Sequence, residues 1–411
     1  MSTDAPEPIA VFRARAARWM ERHLPRWDDE LMPTRALQNL LYDHGFAGIA
    51  FPTQYGGAGL TLEHQQAFVE ETAVQDRQLP MENRVSIGML GPTILDRGSE
   101  DTKERFLPSL LRGDSVWMQL LSEPQGGSDM AGSMTRLSRD GATFVLNGSK
   151  MWSSGALEAD YGLCLCRSNW DVPKHRGLSM IAVPLKDTPG MGILPTRSAS
   201  GLVSDYCEEF FDGVILPAGN LIGGENEGWA VAQTLLMHER NTVGNIGYGR
   251  LIGQRERGPK RMFGGEPAVS SAVAAHERGR LDAVGMMIVD AYIQSVVVPL
   301  TSARVTAGLR AGTHKGQWGS LTKLQSTVAA QASVRTALAA HGADGVIWEG
   351  DEVRVDNVGT TWLESRGGTI AGGTNEMQRN IISERLLGLP KEPAPDRDLP
   401  FSEVLRNTRR R

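Results

Sequence analysis

The fold of this chain is constrained most by a change of hydrophobic period that occurs twice along its 411 residues. Apolar residues recur at helical spacing up to about Met118, where short β-branched and aromatic runs bounded by turn residues replace them. The helical spacing returns after Gly224 and continues to about Leu389. An order of helices, strands and helices is not the alternation of a parallel doubly wound sheet, so a Rossmann fold is disfavoured.

This order predicts an α+β protein. We expect an N-terminal α-helical domain over 1–117, a central β domain over 118–225, a C-terminal helical domain over 226–390 and a solvated tail over 391–411. The clearest helical patterns lie at 10–21, 35–42, 63–74 and 229–248, and the clearest strand patterns at 142–148, 161–167, 178–184 and 209–217. Cys164 and Cys166 alternate within one strand, which is typical of a strand in the core.

Composition argues against several classes of protein. The formal net charge of −5 gives no electrostatic footprint for nucleic acid. Asp4 and Glu7 interrupt the first residues, so we expect no secretory signal. The best apolar window is broken by Asp290, Gln294 and Pro299, so we expect no membrane span. The chain has only three cysteines, which argues against a disulfide scaffold. Its histidines form no pair at His-x-x-x-His spacing on a helix, which argues against a catalytic metal. We therefore expect a soluble, cytoplasmic protein.

Glu239 is the side chain whose position indicates catalysis most directly. Its helix carries an apolar stripe that includes Ala232, Leu236 and Val243, and Glu239 falls on the same face. A carboxylate on a buried face is costly unless it is paired, and loss of solvent raises its pKa towards that of a general base. A structural ion pair, for which Arg240 is the obvious candidate, is the alternative that the residues leave open.

Two glycine-rich segments could approach a ligand closely. The segment 366–380 runs from a glycine loop into an amphipathic helix, whose start offers N–H groups to an anion. The segment 121–129 places Ser122 and Ser128 on either side of a turn as possible hydroxyl donors. Trp152 follows a predicted strand and offers an aromatic face to a planar group. Each of these features alone also fits an ordinary turn or a core residue.

Taken together, these segments resemble the motifs of the acyl-CoA dehydrogenase family, in the family's order and over about 10–390. The matching motifs are 51–59, 121–129, 146–154, 210–217, the pair Phe263-Gly264, and 372–379. Any one of them is modest support, whereas six in order are specific. The resemblance implies an N-terminal α-helical domain, a central β-barrel or sandwich, and a C-terminal four-helix bundle that mediates tetramer formation.

The resemblance also implies FAD, held between the β domain and the C-terminal bundle. The cofactor-binding residues that it implies are Gln119, Leu121, Ser122, Gly127, Ser128, Trp152, Ser153, Ser154, Lys260, Phe263, Thr374 and Glu376. The substrate-binding residues that it implies are Ser128, Arg240 and Gly373.

The family reaction removes two hydrogens from an acyl-CoA. A carboxylate takes the α-proton, the β-hydrogen leaves as hydride to the flavin, and the product is a trans-2-enoyl-CoA. Many members place the catalytic glutamate directly before the Gly-Thr pair of the C-terminal loop, where this chain has Gly372. A second subset places it on the helix that here carries Glu239, directly before an arginine, and Glu239 followed by Arg240 fits that subset. The resemblance therefore makes Glu239 the expected base.

Two departures bear on the partners of the chain. Lys260 stands where the family usually has an arginine, and a lysine lacks the bidentate fork that grips phosphate. The family's pyrophosphate segment is degraded over 339–345. Since some relatives form heterotetramers in which a partner supplies such contacts, a homotetramer and a heterotetramer with a second chain of this kind both stay open. We expect an electron-transfer flavoprotein or similar acceptor. A non-catalytic or half-active subunit, or a flavin monooxygenase or oxidase on the same fold, is the alternative function.

Overall fold

The computed structural model describes residues 6–26, 28–30, 32–79, 84–243, 268–314, 316–347 and 357–404. Within these ranges the chain forms two compact units. The first unit contains the described residues up to 196, together with 205–243 and 394–404. The second unit contains 197–204 and the described residues of 268–393.

The first unit begins with helices. They are α1 Ile9–His23, α2 Thr34–Asp43, α3 Leu62–Val74, α4 Gly91–Arg97 and α5 Glu100–Arg112, with a π-helical turn at Ser86–Leu90 before α4. Local sequence sets their ends, as in α5, where the Ser99 hydroxyl accepts the N–H of Thr102 at 3.2 Å and Gly113 ends the helix with a φ of 86°. The helices predicted at 10–21, 35–42 and 63–74 are confirmed.

A curled sheet follows these helices. Its strands are β1 Trp117–Leu120, β2 Arg136–Asp140, β3 Thr143–Ser154, β4 Tyr161–Arg167, β5 Leu178–Pro184, β6 Met191–Arg197 and β7 Val203–Pro217. Their order is β1-β4-β2-β3-β7-β6, with β5 paired to β4. Strand β1 runs parallel to β4, whereas the long strands β3 and β7 are antiparallel. The four predicted strands are confirmed, and both Cys164 and Cys166 are buried in β4.

Helix α6, Gly228–Val243, packs within the first unit. It contacts β5, α4 and the π-helical turn, and buries Val231, Ala232 and Leu235 in the same core as Phe51 and Leu107. This helix confirms the helical pattern that begins at 229, and residues beyond 243 lie outside the described ranges. The domain borders at 117, 225 and 390 stay predictions.

The chain after 399 is not a wholly solvated tail, so that expectation is wrong for 400–404. Phe401 is buried, and its N–H donates to the carbonyl of Val172 at 2.9 Å. The N–H of Ser402 donates to the carbonyl of Trp170 at 2.8 Å. The Phe401 ring covers the buried guanidinium of Arg167 at 3.7 Å. An aromatic face over a desolvated cation is favourable, which explains why the chain returns to the sheet.

The second unit is helical. Its helices are α7 Ala268–Glu277, α8 Leu281–Arg310, α9 Gly319–His341, α10 Val358–Gly368 and α11 Asn375–Ile381. Helix α9 contacts α7, α8, α10 and α11, so it is the central helix of this unit. Gln331 on α9 donates to the carbonyl of Ser365 on α10 at 2.8 Å. The predicted C-terminal helical domain is confirmed.

Helix α8 bears on the expectation that the chain has no membrane span. Over Leu281–Leu309 it is long and apolar enough to cross a membrane by length and composition alone, a property that core helices also have, so the expectation stays a prediction. Met286, Ile293 and Leu300 recur every seven residues and are 81%, 51% and 64% exposed within the described chain. Residues seven apart lie on one side of a helix, so α8 presents an apolar stripe.

Candidate active site

Glu239 lies on α6 with its carboxylate directed at strand β1. The side-chain amide of Gln119 on β1 donates a hydrogen bond of 3.2 Å to Oε2 of Glu239. Burial raises the pKa of Glu239, while this hydrogen bond and the charge of Arg240 act in the opposite direction. The carboxylate is therefore oriented by a neutral donor. The structure thus brings two predicted site residues into direct contact.

Two hydrogen bonds fix the helix that carries this carboxylate. Arg97, the last residue of α4, donates through Nε to the hydroxyl of Thr234 at 2.8 Å. The hydroxyl of Thr242 donates to the carbonyl of Gly88 in the π-helical turn at 2.9 Å. One bond lies N-terminal and the other C-terminal to Glu239, so they restrain both sliding and rotation of α6 around the carboxylate.

The chain after β1 runs beside the end of β3. The ammonium group of Lys150 donates to the carbonyl of Leu121 at 3.0 Å, and the N–H of Met151 donates to the carbonyl of Ser122 at 3.0 Å. Trp152 follows directly in β3. The segment that contains Gln119 is therefore joined by hydrogen bonds to the segment that contains Trp152, as a shared site requires.

A buried ion pair lies behind these two segments. Nζ of Lys150 is 2.8 Å from Oε1 of Glu123, and neither side chain is more than 3% exposed. The Glu123 carboxylate also accepts the Ser133 hydroxyl at 2.6 Å and the N–H groups of Met134 and Thr135 at 2.7 and 3.0 Å. Burial alone would raise the pKa of Glu123, but the Lys150 charge and these donors lower it below the ordinary value. The Glu123 carboxylate therefore stays ionised at neutral pH.

Trp152, Ser153 and Ser154, which are predicted to bind the cofactor, have side chains that point in two directions. Trp152 is 53% exposed and Ser154 is also exposed, so both can meet a ligand. Ser153 is 6% exposed, and its hydroxyl donates to Oε2 of Glu209 at 2.8 Å. The side chain of Ser153 is thus used within the β domain, whereas its neighbours face outward.

Sequence reasoning did not single out Lys150 or Glu209. A signal for both was present in the alternation of the two long strands. Lys150 continues the inward series that contains Leu146 in β3, and Glu209 lies between the inward residues Cys207 and Phe211 in β7. A charged residue at an inward position of a half-buried strand must have a local partner or an unusual pKa.

The predicted glycine loop lies in the second unit. The hydroxyl of Thr374 accepts the N–H of Met377 at 3.1 Å and so caps α11. Gly373 has a φ of 89°, and a Cβ there would stand 2.8 Å from Nε2 of Gln378. Glu376 lies in the first turn of α11 and is exposed. The loop therefore requires glycine and presents a helix start, both of which fit close approach to an anionic ligand.

The other predicted site residues divide into two groups. Gly127, Ser128 and Arg240 are exposed in the first unit. Lys260 and Phe263 lie outside the described residues. Over the described ranges, no three acidic, histidine or cysteine side chains cluster in a way that could hold a metal ion.

The polar groups of the first unit fit a flat cofactor with polar edges. Oε1 of Gln119 is buried and has no hydrogen-bond partner among the described residues, although the amide nitrogen of the same side chain is bonded to Glu239. At Gly126 a Cβ would meet open space, so the backbone is accessible there. Trp152 adds an exposed aromatic face. Neutral donors and acceptors, with an exposed aromatic ring on the adjoining segment, suit the isoalloxazine of a flavin better than a free phosphate.

Comparison with known proteins identifies the family of the chain. The chain matches the acyl-CoA dehydrogenase N-terminal domain over 7–114, the middle domain over 119–214 and the C-terminal domain over 269–387. The protein belongs to the acyl-CoA dehydrogenase family. It is an FAD-dependent oxidoreductase acting on CH–CH groups.

Several relatives cover nearly the whole chain. Acyl-CoA dehydrogenase IpdE1 of Mycolicibacterium smegmatis is 30% identical over 410 residues, which cover 93% of this chain and 98% of the relative. Acyl-CoA dehydrogenase FadE34 of Mycobacterium tuberculosis is 31% identical over 360 residues, but this chain spans only 47% of its length. The solved Tcur3481-Tcur3483 steroid ACAD is 27% identical with a TM-score of 0.67, covering 95% of this chain and all of the solved chain.

Proposed function

We propose that this protein converts an acyl-CoA thioester to the trans-2-enoyl-CoA, with Glu239 as the base. The observation that carries the proposal is the half-buried Glu239 carboxylate, which has a raised pKa and accepts a hydrogen bond from the neutral amide of Gln119. A base needs a free lone pair and a pKa not far below the working pH. The position before the C-terminal Gly-Thr pair offers no alternative base, because Gly372 has no side chain.

The residues of this chain then have separate tasks. Bound FAD supplies the acceptor for the hydride that leaves the β-carbon. Glu239 takes the α-proton and ends the step as a neutral carboxylic acid. The Gln119 hydrogen bond orients Oε2 of Glu239. The hydrogen bonds of Thr234 and Thr242 hold α6, and with it the carboxylate, in a fixed position. Because the α-proton of a thioester is weakly acidic, donors that polarise the thioester carbonyl must stabilise the developing enolate charge.

The acyl group is a further part of the proposal. The Tcur3481-Tcur3483 neighbour is a steroid ACAD, whereas a bovine relative that is 29% identical is an isobutyryl-CoA dehydrogenase. These relatives act on a large ring system and on a short branched chain. A substrate panel should therefore contain linear, branched, aromatic and steroid-type acyl-CoA thioesters.

We propose that the chain works as a tetramer through the exposed apolar stripe of α8, either with itself or with a second acyl-CoA dehydrogenase-like chain. The stripe of Met286, Ile293 and Leu300 is the kind of surface that helix packing between chains covers. The solved neighbours include the ChsE4-ChsE5 complex of Mycobacterium tuberculosis, which shares the fold.

The test is anaerobic mixing of the FAD-loaded protein with the acyl-CoA panel. We expect at least one thioester to bleach the flavin absorbance of the wild type, and no thioester to bleach Glu239→Gln although that variant keeps its FAD. Glu104→Gln, which changes an exposed glutamate of α5, should behave as wild type. Bleaching of Glu239→Gln at the wild-type rate would contradict the assignment. Absence of bleaching with every thioester, by chain alone and with a partner, would favour a non-catalytic subunit or a monooxygenase.

A further inference from the structure

Strand β3 contains a strained bulge at Trp152. Met151 pairs with Glu208 and Ser153 with Cys207, so one extra residue, Trp152, is inserted between consecutive pairs. Trp152 has a φ of 68°, in the left-handed region that a bulky side chain rarely adopts. Backbone strain of this kind persists only where surrounding structure enforces it, and it concentrates at functional sites.

The bulge determines which side chains face the ligand. Without the inserted residue, strict alternation after Lys150 would turn Trp152 inward and Ser153 outward. With it, the indole of Trp152 is 53% exposed, and Ser153 is buried. Ser154 is exposed in turn, beside the Trp152 face. The aromatic surface and the Ser154 hydroxyl therefore both face outward only because the strand is bulged.

A single buried side-chain contact secures the residue after the bulge. The hydroxyl of Ser153 donates to Oε2 of Glu209 on β7 at 2.8 Å. Glu209 is fully buried on the inward face of β7, so this contact draws Ser153 into the sheet interior. If Ser153 could not face inward, the strand would not keep the bulge at Trp152, and the indole would no longer point outward.

A glutamate at position 209 is energetically unfavourable for the folded chain. Its Oε1 is buried and has no hydrogen-bond partner among the described residues. The cation across the strand pair, Lys150, is already bonded to Glu123, and the neighbouring Glu208 adds a like charge. The thiol of Cys207 beside it is neutral, because burial and the Glu209 charge raise its pKa. Burial raises the pKa of Glu209 to about 7, with the Ser153 hydrogen bond and Lys150 acting in the opposite direction.

We propose that Glu209 is a positioning residue of the flavin site, which through Ser153 holds the Trp152 bulge so that the indole and the Ser154 hydroxyl face FAD. This rests on the part of the proposed function that places Trp152 and Ser154 at the cofactor, and it is independent of the role of Glu239. It also makes FAD affinity depend on pH. An ionised carboxylate with an unpartnered oxygen is costly at this buried position, so ionisation of Glu209 weakens its hold on Ser153 and the bulge, and FAD binds better when Glu209 is protonated.

The experiment measures the dissociation constant of FAD from the apoprotein, by quenching of flavin fluorescence between pH 6 and pH 8. Wild type should bind FAD several-fold more weakly at pH 8 than at pH 6. Glu209→Gln, a neutral side chain of the same shape, should keep the pH 6 affinity at both pH values. Ser153→Ala should weaken binding at least about tenfold at every pH, because the bulge loses its inward contact. Glu208→Gln changes the adjacent outward glutamate, and it should keep the pH dependence, with its transition moved to lower pH because the like charge beside Glu209 is lost.

These outcomes separate the proposal from its alternatives. If Glu209→Gln and Ser153→Ala both keep the wild-type affinity and pH profile, or if Glu208→Gln abolishes the pH dependence as well, the proposal is overturned. Circular dichroism and the midpoint of thermal unfolding show whether Ser153→Ala is folded. If that variant is not folded, Glu209→Gln still tests the proposal independently. Since no acyl-CoA is used, the predicted affinities can be obtained even if no thioester reduces the flavin.

Discussion

At Glu239 two opposing effects decide whether a carboxylate can act as a base. Burial raises its pKa, and the Gln119 hydrogen bond and the Arg240 charge lower it, with burial the largest effect. A direct bidentate arginine would have lowered the pKa and occupied the lone pairs that must take the proton. A neutral amide directs the carboxylate without removing its basicity.

The first prediction concerns the pH dependence of flavin reduction. Only ionised Glu239 accepts a proton, so the rate constant of flavin reduction by acyl-CoA should rise with pH. Because the pKa is raised, the inflection should lie above the ordinary glutamate value of 4.5. Anaerobic stopped-flow absorbance over pH 5 to 9 measures this rate. A rate that falls as pH rises through the range would contradict an unprotonated carboxylate as the base.

The second prediction concerns the buried Lys150–Glu123 pair. Lys150→Met removes the cation and leaves the Glu123 charge buried, which should lower the free energy of unfolding by about 3–5 kcal/mol. Denaturant unfolding at pH 7 measures the loss. Lys174→Met is the matched control, since its partner Asp129 is 62% exposed, and it should cost less than about 1 kcal/mol. Equal losses in the two variants would show that the buried pair has no special weight.

The third prediction concerns Glu209 and stability. Its pKa is about 7 in the folded protein, against 4.5 ordinarily. A raised pKa means that the folded state binds the proton more tightly, so the associated stability is present at low pH and is lost as pH rises from about 4.5 through about 7. The shift corresponds to roughly 3 kcal/mol. Wild type should lose this amount relative to Glu209→Gln between pH 5 and pH 8, and a constant difference between the two would contradict it.

At the scale of elements, sequence periodicity predicted α6 but not what fixes it. The apolar stripe identifies a helix with one buried face, and of its residues Ala232 is buried and Leu236 is partly buried. It does not reveal that Nε2 of His238 meets Oδ2 of Asp96 on α4 at 2.8 Å. Such contacts join residues more than a hundred positions apart, and a single sequence carries no signal for them.

The strands also divide into those that the sequence predicts and those that it does not. β4 and β5 are buried apolar runs, which makes them visible in the sequence. β2 reads Arg-Leu-Ser-Arg-Asp and buries only Leu137, and β6 contains Pro195 and buries none of its residues, so neither has the composition of a strand. They are strands because β3 and β7 offer them backbone partners. The bulge at Trp152 was likewise unpredictable, because tryptophan does not favour a positive φ.

The fourth prediction concerns the returning C-terminal segment. Phe401→Ala should lower the free energy of unfolding by about 3–5 kcal/mol, because it opens a cavity and uncovers the buried Arg167 guanidinium. Leu399→Ala is the control, since Leu399 is 41% exposed, and it should cost less than about 1 kcal/mol. Thermal and denaturant unfolding of both variants measure the difference. If Phe401→Ala is as stable as the control, the segment does not contribute to the fold.

At the scale of the whole molecule, the family could be predicted from six short motifs, because each needs particular residues at particular turns. The assembly could not, since exposure of the α8 stripe is a property of the folded chain. Lys260 and Phe263, which bear on how firmly FAD is held, lie outside the described residues and stay predictions.

The fifth prediction concerns that stripe. The double substitution Met286→Glu with Leu300→Glu places two charges on the exposed apolar face of α8, where desolvation on association would be costly. Light scattering should show a smaller assembly than for wild type, with the helical circular dichroism retained. Asp290→Glu, a conservative change on the same helix, should leave the mass unchanged. A doubly charged variant with the wild-type mass would exclude this face as the interface.

The central claim is tested most directly by a single-turnover measurement. FAD-loaded wild type and Glu239→Gln are mixed anaerobically with the best acyl-CoA of the panel, and the rate constant of flavin bleaching is recorded. Loss of the proton acceptor should slow reduction by a factor of about 10³ or more, equivalent to roughly 4 kcal/mol in the barrier, at unchanged FAD content. Reduction of Glu239→Gln within tenfold of wild type would show that another group takes the proton.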